Sequence, residues 1–418
     1  MEGATKVLDL EAKACFEFFW NEANVDLNSP GYGLILDTNI DLQRASIASV
    51  GFGLSAIIIG VERGWITYDA GYRRTLGTLR TLLNNVEHHK GFYAHFIETE
   101  TGNRMGQCEF STIDTAILLN GALTSGEYFG GEIKELSDEI YRRVDWDFIV
   151  DEKNKWFYMH YWPEIYPEGH SGLGGHWDYY AEQLMMYILA AGSPTSPVGP
   201  HLYYNMKKLI GEYKGSLYIR GWYDGLFIHQ FSYAWFDSAK YIDRDGINWF
   251  ENSVKATLAN RQYCINNPDG FSTYHSNSWG LTPCLGPNGY SGRYGPSPSG
   301  LIEDVNQNDG TVPPCGAAGS LPFTPKESME ALNYMYETFP QLWGKYGFYD
   351  SYNLDQKSPW FSNQYIGINK GITLLMIENY RSGLIWNLYM KNKHVQKGLE
   401  VLMFKKVDNR YSHIENVA

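Results

Sequence analysis

The sequence predicts an all-α fold in which six helical hairpins close into an (α/α)6 toroid, with long aromatic-rich loops and short β-hairpins. Apolar residues recur at helical spacing in about twelve segments along the 418 residues. The strand-like runs are short, and they never alternate with helices in the order that a parallel sheet requires. In such a toroid the loops that enter the inner helices line one face, where a ligand cleft is expected.

The predicted helices follow one another with polar or glycine-rich connections. In the second, Gly51 and Gly53 predict close contact with a neighbouring helix, because glycine lets two backbones approach. In the third, Leu76, Leu79 and Leu82 form an apolar stripe. The twelve segments span residues 8–22, 45–63, 67–88, 111–129, 133–148, 179–190, 201–213, 231–242, 247–266, 326–339, 367–390 and 393–404.

Three strand-like runs interrupt the helices, at residues 92–98, 155–161 and 217–222, and they predict hairpins within loops. The longest loop, residues 267–325, exceeds the length of an ordinary connector, and long ordered loops commonly carry function. Its tryptophans and tyrosines argue against a disordered linker. Residues 1–418 are therefore expected to form a single domain.

The composition is that of an ordinary globular protein, with 44% hydrophobic and 19% charged residues. The net charge of −13, spread without long runs, argues against nucleic acid and anionic membranes as partners. No apolar stretch approaches the ~18–20 residues of a transmembrane helix. The start of the chain lacks an apolar signal core, which predicts a cytoplasmic protein or an exported one without its signal peptide.

The five cysteines are odd in number and form no C-x-x-C pair, so free thiols are expected. A single bridge between Cys284 and Cys315 is left open. Zinc-type spacing, H-E-x-x-H, a P-loop and a G-x-S-x-G turn are all missing from the sequence, and no cofactor or bound metal is predicted.

Aromatic residues make up 16% of the chain and gather in polar phrases, above all at residues 156–162 and 176–182. Sugars have apolar C–H faces and polar rims, so a sugar site needs flat rings beside hydrogen-bonding groups. Pockets for small molecules are generally apolar with a few placed polar groups. The phrases therefore favour an enzyme that acts on carbohydrate. The alternative is that these rings are buried with one polar tip satisfied.

Glu182 is the first catalytic candidate, because it lies near a predicted helix start beside a ring-rich loop. A general acid must hold its proton near neutral pH, and burial against rings raises the pKa of a carboxyl group. The helix dipole opposes this by favouring the anion, so burial must win. The alternative is a first-turn glutamate that only interacts with the dipole.

Three aspartates are candidates for the second carboxylate. Asp114 follows Ser111 in a capping-box pattern, and it either caps a helix or faces the same cleft as Glu182. Asp350 lies in a glycine- and aromatic-rich loop, and Asp309 begins an Asp-Gly-Thr sequence typical of a turn. Local turn chemistry is the alternative for both.

The substrate-binding candidates combine rings, donors and acceptors in these same phrases, and a satisfied core is the alternative for them. They are His176, Trp177, Tyr180, His229, Gln230, Tyr233, Trp235, Trp279 and Asp309.

The chain resembles a glucoamylase-like bacterial family that includes the endo-β-1,2-glucanases of glycoside hydrolase family 144. The resemblance extends over nearly the whole chain. It is carried by the phrases at residues 45–54, 188–195, 277–282, 309–311 and 377–386, which read ASIASVGFGL, ILAAGSPT, NSWGLT, DGT and IENYRSGLIW. The resemblance implies an (α/α)6 barrel, in agreement with the helix count.

The resemblance also implies that Glu182 is the catalytic acid and Asp350 the base, with Asp309 as a second candidate for the base. One segment departs from the family. The glucanases read D-x-x-x-D-x-x-E-T, whereas the matching positions here are Gln107, Ser111 and Asp114, followed by Thr115. Only Asp114 keeps a carboxylate, which weakens the transfer of β-1,2 specificity.

The expected reaction is the hydrolysis of a glucan or glucooligosaccharide, β-linked and with β-1,2 favoured, by an inverting mechanism. Inverting pairs of carboxyls stand ~6.5–9.5 Å apart, which leaves room for water. The alternative is a relative that binds or transglycosylates glycan without efficient hydrolysis. A polysaccharide lyase or sugar epimerase is disfavoured, because the candidate loops hold few basic residues besides Arg293. An oligo- or polysaccharide is the expected partner, and the oligomeric state is not predicted.

Overall fold

The computed structural model describes residues 2–164, 171–296 and 306–408, with side chains from Lys6 onward. Thirteen α-helices lie within these ranges, and the prediction of a mostly helical protein is confirmed. They are α1 (Glu2–Asn21), α2 (Ile47–Glu62), α3 (Tyr68–Asn84), α4 (Thr112–Phe129), α5 (Gly131–Arg142), α6 (Leu184–Ala191), α7 (His201–Asn205), α8 (Trp249–Asn266), α9 (Pro314–Gly319), α10 (Pro325–Thr338), α11 (Gly367–Ser382), α12 (Leu384–Tyr389) and α13 (Lys393–Val401).

The strands are short and antiparallel. They form two-stranded pairs and one four-stranded sheet in which β5, β7 and β6 are neighbours and β8 pairs with β7. They are β1 (Arg44–Ser46), β2 (His88–His89), β3 (Phe92–Tyr93), β4 (Phe96–Glu98), β5 (Phe110–Ser111), β6 (Val150–Asp151), β7 (Trp156–Trp162), β8 (Gly172–His176), β9 (Leu209–Tyr213), β10 (Ser216–Arg220), β11 (Tyr241–Ile242), β12 (Cys284–Gly286), β13 (Gly289–Ser291), β14 (Trp343–Gly344), β15 (Gly347–Phe348), β16 (Tyr352–Asn353), β17 (Trp360–Phe361) and β18 (Lys405–Lys406).

The core is built around helices that are buried on nearly all sides, as expected of helices enclosed by others. Almost every residue of α2, α4, α6 and α11 is buried, and α2 packs against both α4 and α11. The predicted close contact at Gly51 is confirmed. A Cβ atom there would stand 2.5 Å from the Ile117 carbonyl oxygen, and one at Gly121 would stand 2.0 Å from the Gly51 oxygen. At Gly53 the near neighbour is instead the side chain of Ile35.

Two predicted helices are wrong. In residues 201–213 the helix ends at Asn205, and residues 209–213 form β9 against β10. The Arg220 side chain occupies the space beside Gly211, where a Cβ would meet its Cδ atom at 1.6 Å, so tertiary packing favours the strand.

Residues 231–242 form short 3-10 turns at Ser232–Ala234 and Ser238–Lys240 rather than an α-helix. The Ser232 hydroxyl donates to the Glu182 carbonyl at 2.6 Å and accepts from the Met185 amide at 3.0 Å. Side-chain bonds of this kind compete with helical ones, and here they support the start of α6.

All five cysteines are free thiols, and all but Cys108 are buried. The helices in the described ranges are too short or too polar to cross a membrane.

Candidate active site

The buried helices α2, α4, α6 and α11 begin at one face of the molecule. The segments that precede them are joined to one another there by short strands and backbone hydrogen bonds. β1 leads into α2 and pairs with β4, and the Ile47 amide donates to the His95 oxygen at 3.2 Å. β5 leads into α4 and pairs with β7, which pairs in turn with β8 before α6. The amide of Gly367, the first residue of α11, donates to the Asp37 oxygen at 2.8 Å. Side chains from these segments therefore converge at this face.

A cavity of about 390 Å³ opens here, within the range of small-molecule sites. Its wall combines rings, carboxylates and small apolar groups, the mixture that the aromatic phrases predict for a sugar site. The lining residues are Met159, His176, Trp177, Asp178, Tyr179, Ala181, Glu182, Trp222, Tyr223, Asp224, Phe227 and Ile228.

A larger groove of about 620 Å³ lies elsewhere, between residues 21–42 and 99–101. Its lining includes Glu22, Asp26 and Glu100 but no aromatic residue. A groove without rings offers no platform for the apolar face of a sugar, so the smaller cavity is the better candidate.

Glu182 lies in the turn between β8 and α6 and lines this cavity. Its side chain is half-buried, open to the cavity and otherwise surrounded by protein. Burial raises the pKa of the Glu182 carboxyl to about 7; a backbone hydrogen bond lowers it less, and the negative charge of Asp114 adds to the rise. Burial therefore outweighs the backbone hydrogen bond, so the carboxyl can hold its proton near neutral pH, as a general acid requires.

Asp114 lies in the first turn of α4, next to the residue that caps the helix. Its amide donates to the Ser111 hydroxyl at 3.2 Å, so the predicted cap of α4 is confirmed. Its carboxylate accepts from that hydroxyl at 2.5 Å and stands 3.8 Å from Nε2 of His95. Ser111 is thus the capping residue, and Asp114 is part of the charge around Glu182.

The sequence analysis missed His95, a histidine that lies among acidic residues. Its Nδ1 atom lies 2.8 Å from Glu109. Burial lowers the pKa of His95, but the negative charges of Asp114, Glu109 and Asp37 outweigh burial and raise it to about 9. Protonated His95 therefore partly balances the carboxylates of the cleft.

Asp37 links this group to Asp350. Burial raises the pKa of Asp37 to about 6, with His95 opposing and the charge of Asp114 adding. Asp37 in turn contributes to the raised pKa of Asp350. Asp114 thus contributes to the raised pKa of Glu182 and Asp37 to that of Asp350, while Asp350 itself is not among the residues that line the cavity.

Asp350 is buried, and both of its oxygens accept hydrogen bonds. The Leu285 amide donates to Oδ2 at 2.7 Å and the Asn369 side chain to Oδ1 at 2.8 Å. Burial raises the pKa of Asp350 to about 6, while these two donors and the charge of Lys370 limit the rise. The carboxylate is held in one orientation and ionises below neutral pH.

Asp309, the second candidate for the base, is engaged in its own loop. The Tyr294 hydroxyl donates to Oδ2 at 3.2 Å and the Thr311 amide donates to Oδ1 at 3.0 Å. Gly310 has a φ of 91°, as tight turns require. The local turn interpretation fits these contacts.

Two of the predicted binding residues line the cavity. Trp177 is anchored by its indole nitrogen, which donates to the Thr112 hydroxyl at 3.1 Å. His176 stands 2.9 Å from Asp151, and its ring lies 4.7 Å from that of Tyr158. These contacts fix the orientation of both rings towards the cleft.

Tyr180, Tyr233 and His229 lie instead in a fully buried network below the cavity. The Tyr180 and Tyr233 hydroxyls are 3.0 Å apart, and His229 contacts the buried Asp224 at 3.0 Å. The Tyr180 ring stacks on Trp249 at 4.5 Å. Their ring faces are covered by protein, so these residues support the wall rather than offer platforms.

Gln230, Trp235 and Trp279 are buried as well. The Gln230 amide donates to the Gly316 carbonyl at 2.9 Å, and the Trp235 indole donates to the Ser55 hydroxyl at 3.0 Å. Trp279 is wholly buried. The structure gives no support to these three as sugar-binding residues, and their burial fits the core alternative.

The cavity includes rings that the sequence analysis did not single out, chiefly Tyr179 and Trp222. Trp222 is 38% exposed and meets Tyr179 edge to face at 5.9 Å. Lys207 stands 4.3 Å from the Tyr179 ring centre and pairs with Asp178 at 3.2 Å. An exposed tryptophan beside a charged rim is a suitable sugar platform.

The sequence alone could not have identified Trp222, because it ends a strand-like run that reads as a hairpin.

Among the described residues, no cluster of three or more His, Cys, Asp or Glu side chains is arranged to hold a metal ion.

Comparisons with known proteins agree with the residue-level resemblance. A family model described as "Putative glucoamylase" matches residues 175–393. A curated relative from Parabacteroides distasonis, named exo beta-1,2-glucooligosaccharide sophorohydrolase (non-reducing end), is 31% identical over 94% of this chain. The chain spans 57% of the length of that relative.

Two solved structures cover almost the whole chain. One, described as a putative glucoamylase from Bacteroides uniformis, is 31% identical with a TM-score of 0.84, and the match covers 98% of each chain. The other is an endo-beta-1,2-glucanase from Chitinophaga pinensis in complex with sophorotriose and glucose. It is 28% identical with a TM-score of 0.82, over 96% of this chain and 98% of that one.

Proposed function

The chain belongs to the glucoamylase-like family, and on that premise we propose that it is a glycoside hydrolase of β-linked glucan, with β-1,2-glucooligosaccharides as the favoured substrates. The observation that carries the proposal is a carboxyl group, Glu182, with a pKa of about 7 in a ring-lined cavity. The names of the relatives support the choice of β-1,2 linkage.

The proposed architecture is a single (α/α)6 toroid. In support, α2, α4, α6 and α11 are buried and begin at the face that holds the cavity. This is the arrangement expected of inner helices that point the same way.

In the proposed mechanism Glu182 donates its proton to the glycosidic oxygen of the departing sugar. Asp350, held by Leu285 and Asn369, accepts a proton from the attacking water, directly or through a sugar hydroxyl. The C–O bond to the departing sugar breaks as the bond to water oxygen forms on the opposite face, which inverts the anomeric carbon. Trp177, Tyr179 and Trp222 hold sugar rings beside Glu182.

The pH dependence of kcat/KM is expected to be a narrow bell. Activity requires ionised Asp350, whose pKa is about 6, so the rate rises as pH increases through 6. It also requires protonated Glu182, whose pKa is about 7, so the rate falls as pH increases through 7. Initial rates at low substrate concentration across this range test the assignment. A flat profile between pH 5 and 9 would contradict it.

The experiment that tests the proposed function is a screen of the purified protein against β-1,2-, β-1,3-, β-1,4- and α-linked glucans. Shortened β-1,2-linked products, with the newly formed anomer inverted in early NMR spectra, are the expected result. Rearranged chains of conserved average length would favour the transglycosylating alternative. Intact chains with every substrate would overturn the proposal.

A further inference from the structure

The hairpin formed by β12 and β13 lies directly against the proposed base. Its strands pair with Leu285 opposite Tyr290. The Leu285 amide donates to Asp350, and its carbonyl accepts from the Ser351 hydroxyl. Because the two backbone groups of a strand residue point to the same edge, one edge of β12 binds the Asp350 segment and the other edge binds β13.

The two faces of this hairpin differ. Cys284 is fully buried, and a Cβ atom at Gly286 would lie 2.3 Å from the Tyr294 hydroxyl, so this face is packed on protein. Side chains alternate along strands, so Leu285 and Tyr290 lie on the opposite face. That face is open: Tyr290 is 54% exposed.

Tyr290 is more than half exposed, on the hairpin whose other strand contacts Asp350. Partial burial raises the pKa of its hydroxyl, and the negative charges of Asp350 and, more weakly, Asp37 add to the rise. Within the described part of the chain, the hydroxyl makes no hydrogen bond and the ring meets no other ring. An uncovered aromatic face beside two carboxylates is a feature of a binding surface rather than of a core.

We propose that Tyr290 is a sugar-binding residue, whose ring stacks on the glucan unit next to Asp350, so that the hairpin joins substrate binding to the orientation of the base. This inference rests on the proposed function. The ring face receives the sugar on one side of the hairpin while the Leu285 amide holds the carboxylate at its edge. The rings around Trp222 line the Glu182 cavity, and Tyr290 supplies a second aromatic platform beside Asp350.

The test compares Tyr290→Phe, Tyr290→Leu and Tyr290→Ala on a series of short β-1,2-glucooligosaccharides. Phenylalanine keeps the ring and is expected to retain wild-type KM. Leucine and alanine remove it, and loss of one aromatic contact is expected to raise KM about tenfold with kcat less affected. Tyr68→Ala is the matched control, since Tyr68 is 49% exposed and lies outside the cavity lining.

Binding is measured separately in the Glu182→Gln background by calorimetry with the same oligosaccharides. Weaker binding of the alanine variant, restored by phenylalanine, supports the inference. Equal binding and equal KM across all the Tyr290 variants, in a protein that does cleave glucan, would overturn it and leave the proposed function standing. Failure of the wild-type protein to bind or cleave any glucan would overturn both.

Discussion

Replacing Glu182 with glutamine should lower turnover of the preferred glucan by at least about a hundredfold, since proton transfer by a positioned group contributes that much or more. Glutamine has nearly the same shape but cannot donate an acidic proton. Its amide fits the same half-buried turn, whose backbone is held by Ser232. The measurement is kcat on the substrate that the glucan screen identifies.

The affinity of the Glu182→Gln protein for glucan shows whether the variant has lost the chemical step or the binding site. Trp177 and Trp222 are unchanged in this variant, so glucan is expected to bind with nearly wild-type affinity. The residual activity of the Glu182→Gln protein should also lack the fall in rate near pH 7, because the group that titrates there has been removed. Turnover within a few-fold of wild type would exclude Glu182 as the acid.

Stability gives an independent check on the environment of Glu182. The folded state holds the proton up to a pKa of about 7, whereas the unfolded state releases it near the ordinary value of 4.5. Stability from this group is therefore fully present below pH 4.5 and is lost as pH rises through 7. Above pH 7 the Glu182→Gln protein should exceed wild type in the free energy of unfolding by about 1–3 kcal/mol, with little difference at pH 4.5.

Long apolar helices could be predicted from the sequence because their pattern depends on local spacing. The start of α4 was predictable too, since the Ser111 and Asp114 cap needs only a three-residue separation. Residues 201–213 and 231–242 were not predictable in this way. There the outcome depends on distant contacts, such as the packing of Arg220 over Gly211 and the bond from Ser232 to Glu182.

The same limit applies to the site. Glu182 stands out in the sequence because it lies near a helix start beside a dense aromatic phrase, whereas Asp350 rests on the family resemblance. Tyr180 and Trp222 occur in similar phrases, yet one is wholly buried and the other is 38% exposed. Which ring becomes a platform is decided by which strand and loop lie over it. Asp37 is held beside the start of α11 by its carbonyl, which accepts from the distant Gly367 amide.

Replacing Asp350 with asparagine is expected to have the second large effect, a loss of turnover of at least about a hundredfold. The variant should fold, because Asn369 can rotate its amide to offer an oxygen to the new amide nitrogen, while the Leu285 amide still meets an oxygen. Removal of the carboxylate also removes the proposed base, which titrates near pH 6, so the rise of rate through that pH should disappear.

Asp309→Asn is the matched control, because it makes the same chemical change in the same region. The Thr311 amide keeps its acceptor, and the Tyr294 hydroxyl can reverse its bond to accept from the new amide. Turnover close to wild type is expected there, and a loss equal to that of Asp350→Asn would move the role of base to Asp309.

The Asp114→Asn variant tests whether Asp114 acts as the base or only affects the pKa of Glu182. Its negative charge contributes to the raised pKa of Glu182, so its removal should lower that pKa and shift the alkaline fall in rate to lower pH. If Asp114 acted as the base, the variant would instead lose turnover at every pH. Two results together would assign the proton acceptor to Asp350. The Asp114→Asn protein would keep substantial turnover with its alkaline fall in rate moved to lower pH, and the Asp350→Asn protein would be inactive at every pH, because the reaction needs its base whenever Glu182 holds its proton.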